Sequence, residues 1–465
     1  MIRVLAHRLT GRSLILVALD SVLILSSVAA ATYVRFGPGA STFLFVENGV
    51  AKAVLIAAVV QVCLYYADLY DLRSVADRYV LFTRMVQALA TASFALAVLY
   101  YWFPQLIIGR GIFMVAAGLV GALITGWRLT YDWLGRRIRP RERLLFVGTT
   151  PAAVALAREV YEQRRELGVE IVGFIDPDPA RVGTPILNPG VIGTIEDIPS
   201  IVRARGVDRV VVSLSDARGT LPMEKLLEMK LSGVSFDHLA SVYEDYTGKI
   251  SVESLRPSWL IFSRGFKKTR LLVVSKRLLD IIAATVGLVL CLPLMAVIAL
   301  AIRLTSTGPV LYHQARVGQH GRIFTLHKFR SMRMNAEIDT GPVWALKEGD
   351  PRVTPLGRWL RRFRLDELPQ LWNVFKGDMS FAGPRPERPN FVASLTRQIP
   401  FYGQRHIVRP GLTGWAQVSY TYSASVEDAL EKLQYDLFYI KNLSIAFDLF
   451  IIFETVKTVL RHKGA

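Results

Sequence analysis

The sequence predicts a membrane protein of mixed α and α/β class: a four-helix transmembrane bundle, a Rossmann-like parallel α/β domain, and a mostly α C-terminal domain with a re-entrant membrane helix. Three observations carry this expectation. Four apolar stretches, each near the ~20 residues a bilayer requires, lie within the first 135 residues. From about 140 to 250, short apolar runs alternate with helical periodicity. A fifth long apolar stretch, about 278–304, carries a proline near its middle and precedes a region where basic residues clearly outnumber acidic ones.

Composition agrees. Hydrophobic residues make up 52% of 465, yet the net charge is +18. The apolarity argues for membrane spans, and the positive excess argues for anionic lipid, nucleotide or phosphorylated partners. No nucleic acid partner is expected. Cys63 and Cys291 sit far apart inside apolar runs, which supports neither a disulfide framework nor a zinc site.

The four expected spans are residues 14–34, 50–67, 81–103 and 107–127. Arg3, Arg8 and Arg12 precede the first, and Arg73 and Arg78 separate the second from the third. Arg136, Arg137, Arg139, Arg141 and Arg143 follow the fourth. Both chain ends in the cytoplasm satisfy the positive-inside tendency. Ala29-Ala30-Ala31 would suit cleavage of a signal peptide, but the stretch is long for one and more spans follow, so a retained anchor is expected. Were 278–304 to cross as well, the basic C-terminal domain would lie outside. Pro293 withdraws a backbone donor and crowds the preceding turn. A helix-break-helix that enters and leaves from the cytoplasmic face resolves both points.

In the α/β region, Leu144–Val147 reads as a buried strand, Gly148–Pro151 as a turn and Ala152–Leu167 as a helix. Further strands are expected at Glu170–Ile175 and Val207–Leu214. The turn Gly148-Thr149-Thr150-Pro151 has a single glycine, not the Gly-rich fingerprint of a dinucleotide site. Asp176 falls near where an acidic ribose partner would sit, but its Asp-Pro-Asp-Pro setting is ordinary turn composition. A structural or regulatory domain is expected, not NAD binding. Residues 251–275 read as a linker.

Residues 355–390 concentrate the chemistry. Trp359, Leu360 and Phe363 beside Arg358, Arg361, Arg362 and Arg364 suit a helix in a headgroup layer. Asp366 and Glu367 follow, with Asp366 expected as N-cap of the segment Pro369–Phe375, where the helix dipole also suits a phosphate. Read alone, Asp366 is equally a plain cap and Glu367 a solvated acid. Two acids, four arginines, an apolar face and a Gly-Pro-Arg-Pro turn together imply phosphate chemistry at a membrane surface. His313, His320, His327 and His406 lack metal-ligand spacing, and Ser444–Leu460 reads as packed or interfacial.

KRLLD (276–280), GPVLYHQARVGQHGRIFTLHKFRSM (308–332), LDELPQLWNV (365–374), KGDMSFAGPRPE (376–387), VRPGLTGWAQV (408–418) and YDLFYIKN (435–442) occur in this order. Together they closely resemble the bacterial sugar transferase family, the polyprenyl-phosphate glycosylphosphotransferases, in the long form of exopolysaccharide gene clusters. The resemblance covers residues 276–465 as a catalytic domain and implies a monotopic fold with a re-entrant helix. It implies transfer of a sugar phosphate from a UDP-sugar to undecaprenyl phosphate, with release of UMP, at the bacterial inner membrane. By that resemblance Asp366 is the nucleophile that carries a covalent phosphosugar, and Glu367 helps it hold Mg2+. Lys328, Arg330, Arg385 and Arg409 would cradle phosphates. Lys276, Arg277 and Asp280, with Pro293, would serve the lipid-phosphate and interface end, and Gln417 the nucleotide pocket. For each basic residue a solvated or anchoring role is the plain alternative; for Gln417 and Trp415 it is core packing. The resemblance falters at Leu292, where the family often has a small polar residue before the proline. The additional domains offer surface for a homodimer.

Two other functions compete. A membrane-anchored NAD-dependent nucleotide-sugar dehydratase or epimerase would need the Gly-rich fingerprint and a Tyr-x-x-x-Lys pair, and no lysine here has a tyrosine four residues before it. A non-catalytic polysaccharide-export scaffold would leave the paired acids without a task.

Overall fold

The computed structural model describes residues 11–70, 78–138, 142–162, 168–213, 223–252, 263, 265–334, 352–420 and 425–460. The chain forms two compact units, one ending at His238 and one beginning at Leu239.

The first unit opens with four long helices, α1 (Gly11–Phe36), α2 (Gly49–Tyr66), α3 (Arg78–Trp102) and α4 (Arg110–Ile138). Each contains a stretch long and apolar enough to cross a membrane, at the four expected places. α1 packs on α2 and α4, and α3 on the same two. Their shared core takes residues at helical spacing, such as Ile24 and Val28, Ile56 and Val60, and Ile112 and Ile124. Val54, Phe82, Phe94 and Met114 face outward, as lipid-facing positions would. One buried ion pair crosses the bundle: Arg128 Nη2 lies 2.6 Å from Asp20 Oδ2. Arg3, Arg8, Arg73, Arg139 and Arg141 lie outside the described residues.

The same unit continues with an α/β fold: β1 (Glu142–Val147), α5 (Pro151–Glu162), β2 (Val169–Ile175), β3 (Val191–Gly193), α6 (Ile198–Arg205), β4 (Arg209–Val212), α7 (Met223–Leu231) and β5 (Ser235–His238). The sheet order is β3-β2-β1-β4-β5, every neighbour pair parallel. β1 carries the fully buried run Leu144–Val147, as a strand covered on both faces must. Residues 163–167, the end of the expected helix, and 214–222 are outside the described residues. β5 and α7 come from a stretch whose sequence is uninformative; β5 has only four residues and no clear alternation. Asp176 turns inward. It accepts hydrogen bonds from the Thr149 hydroxyl and, at 3.0 Å, from the Asp178 N–H, and it lies 3.4 Å from Arg181. Its oxygens hold their own turn together.

The second unit starts with α8 (Leu239–Thr247), which docks onto the C-terminal helices through Tyr243 to Gln434 and Lys441 to Glu244. Residues 253–262 and 264 of the expected linker are outside the described residues. α9 (Arg270–Thr305) follows, its N-terminus capped by Thr269 Oγ1 on Leu272 N. A hairpin, β6 (Leu311–Val317) with β7 (Ile323–Phe329), leads to α10 (Pro355–Arg362) and α11 (Gln370–Lys376). β8 (Ser380–Ala382), α12 (Pro389–Gln398), β9 (Gly411–Thr413), α13 (Trp415–Ser419), α14 (Val426–Asn442) and α15 (Ile445–Leu460) complete it. Trp415, Tyr402, Tyr439 and Phe447 fill its main core.

α9 corrects the expected helix-break-helix: it is one helix of 36 residues running through Pro293. Proline removes a single N–H from the ladder, and its fixed φ near −65° is itself helical, so the ladder resumes beyond it. Ala284, before the proline, packs with Leu326 and Val374, while Ile298 and Ile302, after it, pack with Phe329 and Leu360. Leu326 and Phe329 both belong to β7, so the two halves of the helix rest on one layer. Between them Val286, Val289, Leu290, Leu292 and Leu294 are exposed.

Candidate active site

The paired acids sit in a 3-10 turn, Leu365–Glu367, between α10 and α11. Asp366 does not cap the following helix: the N-cap is Pro369, and no side chain bonds there. The reason lies one residue earlier. Arg364 adopts a left-handed conformation (φ 54°), which reverses the chain and turns both carboxylates inward, each only 8% exposed. Leu360 of α10 is buried beneath them, while Trp359 and Phe363 stack on the exposed side at 5.6 Å.

The two acids meet different surroundings. Glu367 Oε1 is bound by Lys328 Nζ at 2.9 Å and Arg385 Nη2 at 3.0 Å, with Arg364 at 3.7 Å. Burial alone would push this carboxyl up, but the three cations hold it well below its usual range. Asp366 accepts no hydrogen bond from any described residue. Burial and the neighbouring Glu367 charge push it up, against the pull of Lys328, Arg361 and Arg364. One acid is locked ionised, and the other keeps its lone pairs free.

Lys328 reaches Glu367 because Asn373, fully buried on α11, clamps β7: its Nδ2 donates to Thr325 O (2.8 Å) and its Oδ1 accepts from His327 N (3.1 Å). Arg385 is placed by the Gly-Pro-Arg-Pro turn after β8. Gly383 and Gly411 approach so closely, backbone to backbone, that a Cβ on either would overlap the other strand.

The remaining expected site residues are spread around this centre. Arg409 is half-buried and makes no hydrogen bond or ion pair among the described residues; it lies near enough to Arg277 for the two charges to repel. Arg277 itself donates to the last carbonyls of α11, Val374 (2.7 Å) and Phe375 (2.6 Å). Lys276 turns inward to Asp448 (2.6 Å), Ala382 O (3.1 Å) and Tyr439 OH (3.2 Å). Asp280 is buried and accepts from Ser380 Oγ and Phe381 N at 3.0 and 3.1 Å. Lys276 and Asp280 thus grip β8, which leads into Arg385. Arg330 is buried and spends both guanidinium nitrogens on Ser306 and Thr307, at the end of α9. Gln417 donates to Leu412 O (3.3 Å) in its own loop, and its Oε1 is buried without a hydrogen bond. Trp415 is core, its indole N–H donating to Gly248 O. Pro293 is exposed on the apolar face of α9.

Sequence reasoning missed Asn373 as the clamp and gave Arg364 only a surface role. A buried asparagine within an otherwise apolar helical turn was the available signal.

Comparison with known proteins accords with these features. A family model described as bacterial sugar transferase matches residues 271–462, and one described as a CoA-binding domain matches 66–222. The chain is 42% identical over 259 residues to a UDP-N-acetylgalactosamine-undecaprenyl-phosphate N-acetylgalactosaminephosphotransferase of Aeromonas hydrophila, covering 56% of this chain and 60% of that protein. It is 37% identical over 285 residues to an undecaprenyl-phosphate glucose phosphotransferase of Komagataeibacter xylinus, covering 59% and 52%. Against these two the chain spans little more than half of the relative's length. To a UDP-glucose:undecaprenyl-phosphate glucose-1-phosphate transferase of Escherichia coli K12 it is 32% identical over 347 residues, covering 73% of this chain and 72% of the relative. With that breadth of match, and with the two acids set among the cations that phosphate chemistry calls for, the chain belongs to the bacterial sugar transferase family.

Proposed function

We propose that this protein transfers a sugar 1-phosphate from a UDP-sugar to undecaprenyl phosphate, releases UMP, and so initiates assembly of an exopolysaccharide or related glycan. One observation carries the reading: a buried carboxylate that accepts no hydrogen bond among the described residues, Asp366, beside Glu367, whose Oε1 is bound by Lys328 and Arg385. Donor and acceptor are both anionic, so a direct encounter is repulsive. A carboxylate nucleophile divides the transfer into two easier displacements. Asp366 attacks the sugar-bearing phosphorus and holds it as an acyl phosphate until the lipid phosphate displaces it. Glu367 keeps Lys328 and Arg385 in place at the site where the phosphate arrives. Arg409, which makes no hydrogen bond or ion pair among the described residues and lies near Arg277, would receive the acceptor phosphate.

Mg2+ is commonly held by one or two carboxylates together with substrate phosphates and water. Asp366 and the second oxygen of Glu367 are hard donors of that kind, so the residues fit. The ion would shield the negative charge of the diphosphate.

The same proposal places the catalytic unit on the cytoplasmic face of the bacterial inner membrane, with α9 re-entrant. Ala284 and Ile298 are about 21 Å apart along a helix, at 1.5 Å per residue, against ~30 Å of hydrocarbon. Both points pack on the same strand, β7, and the stretch between them is too short to set those two points on opposite faces of the bilayer.

The test is to incubate membranes holding the protein with UDP-sugar, Mg2+ and undecaprenyl phosphate and to identify the nucleotide product. UMP is expected. UDP would mean an ordinary glycosyltransferase, and no nucleotide at all a scaffold.

A further inference from the structure

Most of the cations around the paired acids are already committed, Arg361 near Asp366 being an exception among the described residues. Lys328, Arg364 and Arg385 converge on Glu367, Arg330 on Ser306 and Thr307, and Arg277 on the end of α11. A diphosphate donor, however, carries two phosphates, and the one that departs gains charge as it leaves.

A small surface cleft is lined by Glu387, Tyr402, Arg405, Asp428 and Lys432 among others. Arg385 joins the two places: its guanidinium touches Glu367, while its backbone carbonyl accepts from Arg405 Nη2 at 3.1 Å. Most charges lining the cleft are paired. Arg405 is 2.8 Å from Asp436 and 2.6 Å from the Tyr402 hydroxyl, and Glu387 is 3.6 Å from Arg316. Asp428 accepts from the Ser425 N–H and the Tyr420 hydroxyl. Lys432, half-buried on α14, makes no hydrogen bond or ion pair among the described residues. Burial pushes its ammonium down, Glu387 and Asp436 pull it back up, and Arg385 and Arg405 repel it. It stands as an unspent cation on the wall of a cleft that Arg385 links to Glu367.

We propose that the cleft is a leaving-group subsite in which Lys432 receives the phosphate of the departing nucleoside monophosphate. This rests on the transfer reaction argued in the preceding section. There an Asp366 oxygen bonds to the sugar-bearing phosphorus and the bond from that phosphorus to the bridging oxygen breaks. The electron pair stays on that oxygen, which departs as part of the nucleotide phosphate with one more negative charge. A cation that meets this charge only as it forms favours departure more than ground-state binding. An ammonium on a four-carbon stem is a compact point charge able to follow a group as it moves away. A residue already paired with a carboxylate would have to break that pair first.

The experiment measures inhibition of the full-length enzyme by UMP and, separately, by uridine. Lys432→Met keeps the stem and removes the charge, and it is expected to raise the UMP inhibition constant at least tenfold while leaving uridine unchanged. Lys432→Arg should restore most of the loss. Equal UMP inhibition in wild type and Lys432→Met overturns the subsite, as does equal weakening by both ligands, which would mean that Lys432 reads the nucleoside. Should Lys432→Met fail to fold, Lys432→Gln is held to the same outcomes. Failure of the wild type to release UMP would instead overturn the transfer reaction itself, so the two readings fail separately.

Discussion

Asp366 and Glu367 are adjacent in sequence yet are pushed in opposite directions. Asp366, held above the usual carboxylate range, must lose its proton before it can attack, so the acid limb of activity should lie above that of a free aspartate. Asp366→Asn should reduce UMP release to below about one part in 10⁴ if, as proposed, Asp366 supplies the nucleophile. Glu367→Gln removes the repelling charge and frees Lys328 and Arg385 to pair with Asp366. Its acid limb should therefore move to lower pH while the rate falls by about 10²-fold or more, as a pH–rate profile would show. For stability the sign is the reverse of the usual buried acid: Glu367, lowered in the folded state, contributes above its ordinary 4.5, and that contribution is lost as pH falls below it. Asp436 behaves differently. Burial pushes it up to about 6 despite Arg405, so its ionisation costs stability as pH rises from 3.8 to that value. Arg405→Met leaves this charge buried and unpaired, at a cost of ~3–5 kcal/mol. Melting of that variant in detergent should improve between pH 7.5 and 5.5, where Asp436 regains its proton.

Among the elements, α9 is the one long apolar helix described in the second unit, and on the proposed function it is where that unit meets the membrane. Its two packed ends and exposed apolar middle are set by which side chains face β7 and α11, and Pro293 lies in the exposed part. Pro293→Ala restores a backbone hydrogen bond and strengthens the isolated helix by up to about 3 kcal/mol. If the proline seats the helix, the variant should melt no lower than wild type yet release UMP more slowly; unchanged UMP release would show the proline to be dispensable. α11 acts differently, as a spacer: Asn373 fixes β7 against it, and Lys328 then falls within reach of Glu367.

At the scale of the whole molecule, the matter to settle is which face of the membrane carries the catalytic unit. Gly403 lies on an exposed turn where an added Cβ would meet nothing within 4 Å, so a cysteine fits there. In a Cys63→Ser, Cys291→Ser background, Gly403→Cys should react with an impermeant maleimide in inside-out vesicles and stay unlabelled in intact cells. Labelling in intact cells would remove the basis for a cytoplasmic site. The α/β fold of the first unit has the 3-2-1-4-5 order of a nucleotide-binding sheet, but the turn where such a ligand would need an open acid holds Asp176 already bonded to Thr149 and Arg181.

The sequence by itself determined the four apolar helices, the parallel sheet and the setting of Asp366 and Glu367 among basic residues, because apolar runs, strand-length buried segments and clustered charges are local signals. It also singled out Lys328 and Arg385, which meet at Glu367. Only the tertiary structure decided what each charge spends itself on. Arg330 and Lys276 look alike in sequence to Lys328 and Arg409, but the first two are consumed by backbone and side-chain partners from distant segments. Asp366 lost its capping role to a left-handed residue two positions before Asp366. The physical reason is that a charged group's partner is chosen by long-range packing, which brings residues a hundred or more positions apart within 3 Å, and no local pattern records that choice.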